Sequence, residues 1–207
     1  MIKDKIFKKC EGKRVLQVGV LGDFQNYLDV DLVGWDFKKI SELASEAVGV
    51  DIGSEGVKIL NDKGYKNIVF GDAEKLDFKG KFDVIYAGDI IEHLNNPGLF
   101  LESMKKHMHE NSLLIITTPN PYSLSMIIKG ILGTTESGIF EDHTTLFHKK
   151  TIDQLLSRHS LKIVKTEMFT LTYKKTFVTH MKSLILNLAS KLNSKWHGSY
   201  YFEVSLI

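Results

Sequence analysis

The feature that most constrains this chain is a repeated alternation of short apolar runs with amphipathic stretches. Five runs are rich in Val, Ile and Leu and are bounded by turn residues: Arg14–Val18, Ala47–Asp51, Asn67–Phe70, Phe82–Ala87 and Leu113–Thr117. Runs of this length and composition are typical of strands that are buried on both faces. Because amphipathic stretches separate them, the pattern predicts an α/β fold, a parallel sheet with helices on both faces.

Two of the connecting stretches contain residues that mark where helices begin and end. Ser54 precedes GVKILNDKG as a candidate N-cap, and Gly64 stands where a helix C-cap belongs. Asn96 and Pro97 open GLFLESMKKHM, whose apolar residues recur at helical spacing. These signals predict two of the helices that join the strands.

The pattern changes after Pro121. The elements predicted there are a short apolar helix over Leu124–Leu132, a helix over Ile152–His159 that Thr151 caps, a strand over Leu161–Met168, an amphipathic helix over 174–193, and a final strand in YYFEVSLI. We interpret residues 1–207 as a single domain with a substrate-side insertion near 121–150.

Composition is that of an ordinary globular protein. The chain has 207 residues, of which 43% are hydrophobic and 25% charged, enough to bury a core. Its single cysteine, Cys10, excludes an internal disulfide and fits a reducing compartment. Since we find neither a secretory signal nor an apolar stretch of membrane-spanning length, we expect a cytoplasmic protein.

The charge is distributed unevenly. A formal net charge of +2 makes nucleic acid a poor candidate partner, and the sequence leaves the oligomeric state open. From Met168 to Phe202, however, there are five lysines and no Asp or Glu, which is compatible with an anionic substrate, another protein or a membrane surface, although a solvated helix face is the simpler interpretation. The apolar residues beside these lysines, Leu184, Ile185, Leu188 and Leu192, are a possible membrane contact, but a helix stripe that faces the core is the simpler interpretation.

Polar and glycine residues follow the strands at the edge where ligands bind. In a doubly wound sheet that edge is formed by the carboxyl ends of the strands, near the point where the strand order reverses. A carboxylate after the second strand can accept both hydroxyls of a ribose, and one after the third can accept from an adenine amine. Each acid alone is also a typical helix N-cap, but together they predict a nucleoside pocket. The residues in question are Gly19 and Gly22 after the first run, Asp51 after the second, Asp72 and Ala73 after the third, and Asp89 after the fourth.

Several segments resemble the class I S-adenosylmethionine-dependent methyltransferases. They are VLQVG, VGVDI, GDAEKL, FDVIYAGDIIEHLNNPGLFLESM and LLIITTPNPYS. The branch that includes the ubiquinone-biosynthesis O-methyltransferases is the most similar, and EDHTTLFHKKTIDQLLSRHSLKIV resembles its H-x-x-x-F segment. The resemblance implies a three-layer Rossmann-like methyltransferase fold with a mostly parallel seven-stranded sheet. The closing strand pair would be antiparallel, and S-adenosylmethionine would be the cofactor.

The glycine turn in RVLQVGVLGDF departs from the pattern of that family. Family members carry an acid two residues before the first glycine, which holds the amino group of the cofactor, and a second glycine shortly after. Here Gln17 and Leu21 stand near those positions. We interpret the turn as a working variant in which Gly22 replaces the last glycine and Leu21 turns away. The resemblance thus implies these cofactor-binding residues: Gln17, Gly19, Gly22, Asp51, Ile52, Asp72, Ala73, Gly88 and Asp89.

A nicotinamide site is the alternative for this turn. It needs G-x-G-x-x-G and an acid about 20 residues further on. Only Gly19 and Gly22 match, as a G-x-x-G fragment, and Asp51 lies 29 residues beyond Gly22. The nicotinamide alternative is therefore weak.

Asp89, Glu92 and His93 follow the fourth predicted strand. Their i, i+3, i+4 spacing predicts that they share one face of a helical turn. The matching residues in the ubiquinone O-methyltransferases, Glu, Glu and His, hold a divalent cation, so the resemblance implies a Mg²⁺ or Mn²⁺ site here. The alternative is that Asp89 caps the turn, Glu92 favours its dipole and His93 packs under the cofactor.

Two histidines are candidate catalytic bases. His93 is expected near the transferred methyl group, and His143 lies in the EDHTTLF loop on the substrate side, where a structural role is the alternative. Asn120 and Tyr122 either line the acceptor pocket or redirect the chain. The predicted reaction is methyl transfer to an oxygen of a small-molecule or carrier-bound acceptor, with a nitrogen as the alternative acceptor atom. A scaffold that binds the cofactor without transfer is the alternative, which Gln17 and Leu21 motivate.

Overall fold

A seven-stranded sheet forms the centre of the protein. The computed structural model describes residues 2–22, 35–134, 142–170, 181, 184–186, 188–189 and 192–207. The strands are β1 Arg14–Val18, β2 Glu46–Asp51, β3 Ile68–Phe70, β4 Phe82–Gly88, β5 Met108–Pro119, β6 Leu161–Phe169 and β7 Ser199–Leu206. They lie in the order β3-β2-β1-β4-β5-β7-β6. Strands β1 to β5 pair in parallel, and β7 runs antiparallel to both β5 and β6, which confirms the predicted topology.

Helices cover both faces of the sheet. They are α1 Ile2–Cys10, α2 Asp36–Leu43, α3 Ser54–Asp62, α4 Pro97–Lys106, α5 Leu124–Ile131 and α6 Lys149–Arg158. Side chains alternate along each strand, so Val15 packs with α1, α2 and α3 while Leu16 belongs to the core that contains α4 and α6. The predicted three-layer arrangement is therefore confirmed.

Of the predicted N-caps, two are wrong and one is confirmed. Helix α3 begins at Ser54, and its N-cap residue is Gly53, which has no side chain to cap it. Helix α6 begins at Lys149, and His148, not Thr151, is its N-cap residue. The Thr151 hydroxyl accepts a hydrogen bond from the His148 amide. Asn96 caps α4 as predicted, with Pro97 following it.

The segment over 174–193 is only partly within the described residues. Its described positions 181, 184–186, 188–189 and 192 are helical. The interpretation of a core-facing stripe is wrong, because Leu184, Ile185, Leu188 and Leu192 are all exposed. Helix α5 also has no buried residue, and residues 135–141 of the insertion lie outside the described part. None of the helices in the described ranges is long and apolar enough to cross a membrane.

The strand order reverses between β1 and β4, which are neighbours at the centre of the sheet. The carboxyl ends of β1, β2, β3 and β4 therefore form one edge around this switch point. Open α/β sheets bind their ligands at such an edge.

Candidate functional site

The glycine turn after β1 has the backbone conformation that glycine permits. Gly19 and Gly22 have φ angles of +73° and +52°. Side chains with a Cβ rarely adopt such angles, because the Cβ approaches the following carbonyl oxygen. The Gly19 amide donates to the Val50 carbonyl at 2.9 Å, which ties the turn to the end of β2. The two glycines predicted to shape this turn are thus at positions that need glycine.

Leu21 is accommodated by a glycine elsewhere in the chain. Its side chain is buried, and its Cδ1 lies 2.6 Å from the place where a Cβ on Gly53 would stand. Its amide donates to Asp51 Oδ2 at 2.9 Å. Leu21 therefore does not turn out to solvent; it packs against the start of α3, where Gly53 leaves room for it.

Asp51 is held in a fixed orientation at the end of β2. Its Oδ2 accepts from the Leu21 amide and its Oδ1 accepts from the Gly53 amide, each at 2.9 Å. A carboxylate has roughly four acceptor sites, so two remain for other donors. Its position and orientation suit acceptance of two ribose hydroxyls.

Large apolar side chains are exposed beside Asp51. Ile52 is 68% exposed after β2, and Phe70 is 62% exposed at the end of β3. Asp72 follows, and its Oδ1 accepts from the Glu74 amide at 2.9 Å, so it caps a short 3-10 turn that begins with the buried Ala73. The cap leaves the second carboxylate oxygen in only a long ion pair, 3.7 Å from the Lys75 ammonium. The edge therefore combines apolar surface with acceptor oxygens, as an adenine site requires.

Gln17 has an unsatisfied acceptor. The residue is buried in β1, and its Oε1 has no hydrogen-bond partner among the residues that the structure describes. Buried polar atoms in folded proteins are nearly always hydrogen-bonded. The orphaned oxygen is therefore consistent with a bound donor.

The end of β4 is shaped by Tyr86, Gly88 and Asp89. The Tyr86 hydroxyl lies against the Gly88 α-carbon so closely that a Cβ there would collide with it. Asp89 has a φ of +49°, and its Oδ1 accepts from the Thr117 hydroxyl at 2.9 Å. A left-handed non-glycine residue is strained unless its surroundings impose it, and such residues cluster at functional sites.

A group of charges lies close to Asp89. The Lys3 ammonium on α1 is 2.7 Å from the Asp36 carboxylate on α2. Loss of hydration beside the surrounding protein raises the pKa of Asp89, although the residue is partly exposed, while the Thr117 hydrogen bond and the charges of His93 and Lys3 oppose that rise. A titratable group with a shifted pKa and specific charged neighbours is a candidate functional residue.

Glu92, His93 and His143 come together, and Asp89 is not part of this group. One donor atom from each of the three lies within 4.8 Å of the others. The His93 and His143 rings meet edge to face with centroids 4.5 Å apart. The prediction that Asp89, Glu92 and His93 share a helical face is wrong, because the 3-10 turn spans only Ile91–His93 and Asp89 precedes it in a left-handed conformation.

Polar neighbours orient the members of this group. Glu92 is 1% exposed, and its Oε2 accepts from the Thr118 hydroxyl at 2.9 Å while Oε1 has no partner within the described residues. Asp142 Oδ2 lies 3.1 Å from His93 Nδ1. Sequence reasoning missed Asp142 and Thr118. Their only signal was adjacency to His143 and to the end of a predicted strand.

The environment alters the proton affinities of two members. Burial, with the nearby Asp89 and Asp142 charges, raises the pKa of Glu92 to about 8. Burial, and then the charge of His93, lowers the pKa of His143. A carboxyl that binds its proton near neutrality beside a neutral imidazole is typical of acid–base sites.

Backbone contacts fix the loop that contains His143. The Thr144 amide donates to the Glu92 carbonyl at 2.8 Å, and its hydroxyl donates to the Leu94 carbonyl at 2.7 Å. Phe147 is buried in the core below. In the H-x-x-x-F segment, the buried Phe147 fixes the loop to the core, and His143 lies beside Glu92 and His93.

Asn120 and Tyr122 have different roles. Asn120 is buried, and its Nδ2 donates to the carbonyls of Lys195 and His197 at 3.0 and 2.8 Å. Asn120 thus joins β5 to the segment before β7, which is the chain-redirecting role. Tyr122 is exposed beside His148, with ring centroids 5.7 Å apart.

Comparison with known proteins identifies the family to which this chain is similar. A family model described as a methyltransferase domain matches residues 33–166. The chain is 26% identical over 125 residues to the ubiquinone biosynthesis O-methyltransferase of Bradyrhizobium diazoefficiens, covering 58% of this chain and 49% of that protein. It spans about half the length of the curated relatives it matches.

Solved structures show the same fold. The chain matches a SAM-dependent methyltransferase from Archaeoglobus fulgidus with a TM-score of 0.63 and 22% identity, over 100% of this chain and 93% of that one. It also matches the magnesium protoporphyrin IX methyltransferase of Synechocystis PCC 6803 with bound SAH, with a TM-score of 0.63 and 16% identity, over 100% and 82% of the two chains.

Proposed function

Because the chain belongs to the methyltransferase-domain family of class I S-adenosylmethionine-dependent enzymes, we propose that it transfers a methyl group from S-adenosylmethionine to a hydroxyl oxygen. The acceptor would be a small or carrier-bound molecule. The observation that supports this most is that the same sheet edge contains an oriented hydrogen-bond acceptor, Asp51, after β2 and the imidazole pair of His93 and His143 beyond β4. A nucleoside site and a proton acceptor are what such a reaction needs.

Residues at the ends of β2 and β3 would bind the nucleoside. The two free acceptor sites of Asp51 suit the ribose hydroxyls. Ile52 and Phe70 would cover the faces of the adenine, since their exposed apolar area has no other use at a polar edge. Asp72 Oδ2, which among the described residues has only the long ion pair with Lys75, would accept a hydrogen bond from the adenine amine.

Residues near β1 and β4 would hold the amino-acid end. The orphaned Gln17 Oε1 fits an ammonium donor but supplies no charge. Asp36 and Asp89 would provide the negative charge, and Lys3 would face the carboxylate. The alternative is a scaffold that binds the cofactor without transfer, and Leu21 was one reason for it. Because the Leu21 side chain packs against Gly53, that reason is weakened.

His93 would act as the base. S-adenosylmethionine supplies a methyl group already activated by its positive sulfur. The acceptor hydroxyl gives its proton to a ring nitrogen of His93 as its oxygen bonds to the methyl carbon and the carbon–sulfur bond breaks. Asp142 Oδ2 lies 3.1 Å from Nδ1 and orients the ring. A divalent cation beside Glu92 and His93, which the resemblance implies, would lower the pKa of the hydroxyl.

We also propose that the apolar helices on the substrate side contact an anionic membrane surface. Helix α5 begins just beyond the carboxyl end of β5, and its Ile131 is 81% exposed; Leu192 of the later helical segment is 85% exposed. The sequence has no Asp or Glu over 111–135 or over 168–202, and the second segment has five lysines. Apolar helices with basic and without acidic residues suit an anionic lipid surface.

Binding of the demethylated product, S-adenosylhomocysteine, tests the cofactor site. We expect calorimetric titration to show binding that Asp51→Ala weakens at least about tenfold, since a charged hydrogen-bonding group is lost. Asp62→Ala, at an exposed acid that ends α3, is the control and should leave the affinity unchanged. Absence of binding to the unaltered chain would overturn the proposal.

Transfer of labelled methyl groups to a panel of hydroxyl compounds tests the reaction. We expect His93→Ala to lower kcat about 100-fold or more with little effect on S-adenosylhomocysteine affinity. His109→Ala is a matched control, because His109 also pairs with an acid, Asp83 at 3.2 Å, but lies near the amino end of β5. Equal turnover in both variants would remove His93 from the chemistry.

A further inference from the structure

The group of Glu92, His93 and His143 has the donor set of a transition-metal site. One donor atom from each residue lies within 4.8 Å of the other two. The set consists of one carboxylate oxygen and two imidazole nitrogens. Glu92 Oε1 is buried and has no hydrogen-bond partner among the described residues. Buried polar atoms are nearly always paired, so a bound cation would satisfy this oxygen.

Hydrogen-bond partners of the candidate ligands support the same interpretation. A histidine that binds a metal through one ring nitrogen usually donates a hydrogen bond from the N–H of the other to a carboxylate or carbonyl oxygen. Carboxylates that bind metals are usually hydrogen-bonded as well. Asp142 engages Nδ1 of His93 at 3.1 Å, so coordination would use Nε2. Thr118 engages Oε2 of Glu92 at 2.9 Å, which leaves Oε1. Two of the three candidate ligands therefore have the outer partners that orient metal ligands.

The arrangement differs from the one that the resemblance implies. The Asp89 carboxylate accepts a hydrogen bond from the Thr117 hydroxyl and does not lie with Glu92, His93 and His143. Replacement of that acid by His143 exchanges an oxygen ligand for a nitrogen. Mg²⁺ prefers an all-oxygen octahedron, whereas imidazole suits Zn²⁺, Fe²⁺, Co²⁺ and Ni²⁺.

From these contacts we infer that Glu92, His93 and His143 bind one divalent transition-metal ion, with Zn²⁺ or Fe²⁺ as the fitting class. Two imidazoles and one carboxylate leave coordination positions for the acceptor oxygen. The ion would also link the His143 loop to the end of β4. This inference rests on the proposed function for its use in methyl transfer, where His93 would then be a ligand and not the base: the ion would lower the pKa of the acceptor hydroxyl, whose proton would pass to water. Its test does not require activity.

Metal titration of the chelator-treated, full chain provides the test. We expect one equivalent of Zn²⁺ or Co²⁺ to bind at least about tenfold more tightly than Mg²⁺ by calorimetry, and bound Co²⁺ to absorb visible light. His143→Ala should lower Zn²⁺ affinity at least about tenfold, whereas Asp89→Asn should change it less than about threefold. His109→Ala, at a histidine outside the group, controls for adventitious binding.

Asp142→Ala provides a variant that should fold even if the variants at buried residues do not, because the Asp142 side chain is 74% exposed. It removes the oxygen that accepts from His93 Nδ1, and we expect Zn²⁺ affinity to fall about 10- to 100-fold. Equal affinity for Mg²⁺ and Zn²⁺, or a dependence on Asp89 and not on His143, would overturn the inference, as would no metal binding. S-adenosylhomocysteine titration of the same metal-free sample reports separately on the proposed function.

Discussion

Leu21 and Ile52 lie side by side at the proposed cofactor edge, yet the structure gives them opposite roles. Leu21 is buried against Gly53, and its contribution to cofactor binding comes from its amide, which holds Asp51. We expect Leu21→Ala to lower the free energy of unfolding by about 2 kcal/mol, since a buried side chain is truncated. The amide is retained, so S-adenosylhomocysteine affinity should fall less than about threefold. Urea denaturation and calorimetry measure the two quantities.

Ile52→Ala is the matched variant with the reverse expectation. Ile52 is largely exposed, so its truncation should change the free energy of unfolding by less than about 0.5 kcal/mol. It should nevertheless weaken S-adenosylhomocysteine binding several-fold, because apolar area against the adenine is lost. If Leu21→Ala weakened binding more than Ile52→Ala did, the Leu21 side chain itself would belong to the site.

The loop over 142–147 and the turn over 91–93 act together at the scale of elements. The Thr144 hydroxyl donates to the carbonyls of Leu94 and Glu92, at 2.7 and 3.1 Å. We expect Thr144→Val to lower the free energy of unfolding by about 1 kcal/mol and to reduce turnover, since His143 loses its support. Thr145→Val is the control, because Thr145 contacts Glu92 only through its backbone amide. Equal effects of the two variants would show that the hydroxyl does not position His143.

The elements themselves were largely predictable, and the joining of distant segments was not. The Val- and Ile-rich runs and their spacing predicted β1 to β5, because buried parallel strands require that composition. Periodicity gives no information on the contact between Glu92 and Thr144, 52 residues apart. Nor does it predict the left-handed backbone at Asp89, which took that residue out of the expected helical face. The membership of His143 in the group therefore had to come from tertiary structure.

At the scale of the whole molecule, an exposed apolar helix lies beside the candidate site. The candidate site lies at the carboxyl ends of β1 to β4, and α5 leaves the sheet at the same edge with no residue buried. Single exposed apolar residues are ordinary, but an exposed apolar helix next to a binding site indicates a contact surface. An acceptor held in a membrane would reach the site from that side.

Vesicle co-sedimentation measures this property directly. We expect the chain to sediment with vesicles that contain anionic lipid, less with purely zwitterionic ones, and less again as salt rises, because the lysines are screened. The double substitution Ile131→Asp and Leu132→Asp should abolish binding by placing two charges on the exposed end of α5. Ile207→Asp, at an equally exposed apolar residue at the end of β7, should leave it unchanged. If the α5 substitutions had no effect, the exposed apolar surface would have to contact something other than lipid, and the acceptor would be sought among molecules in solution.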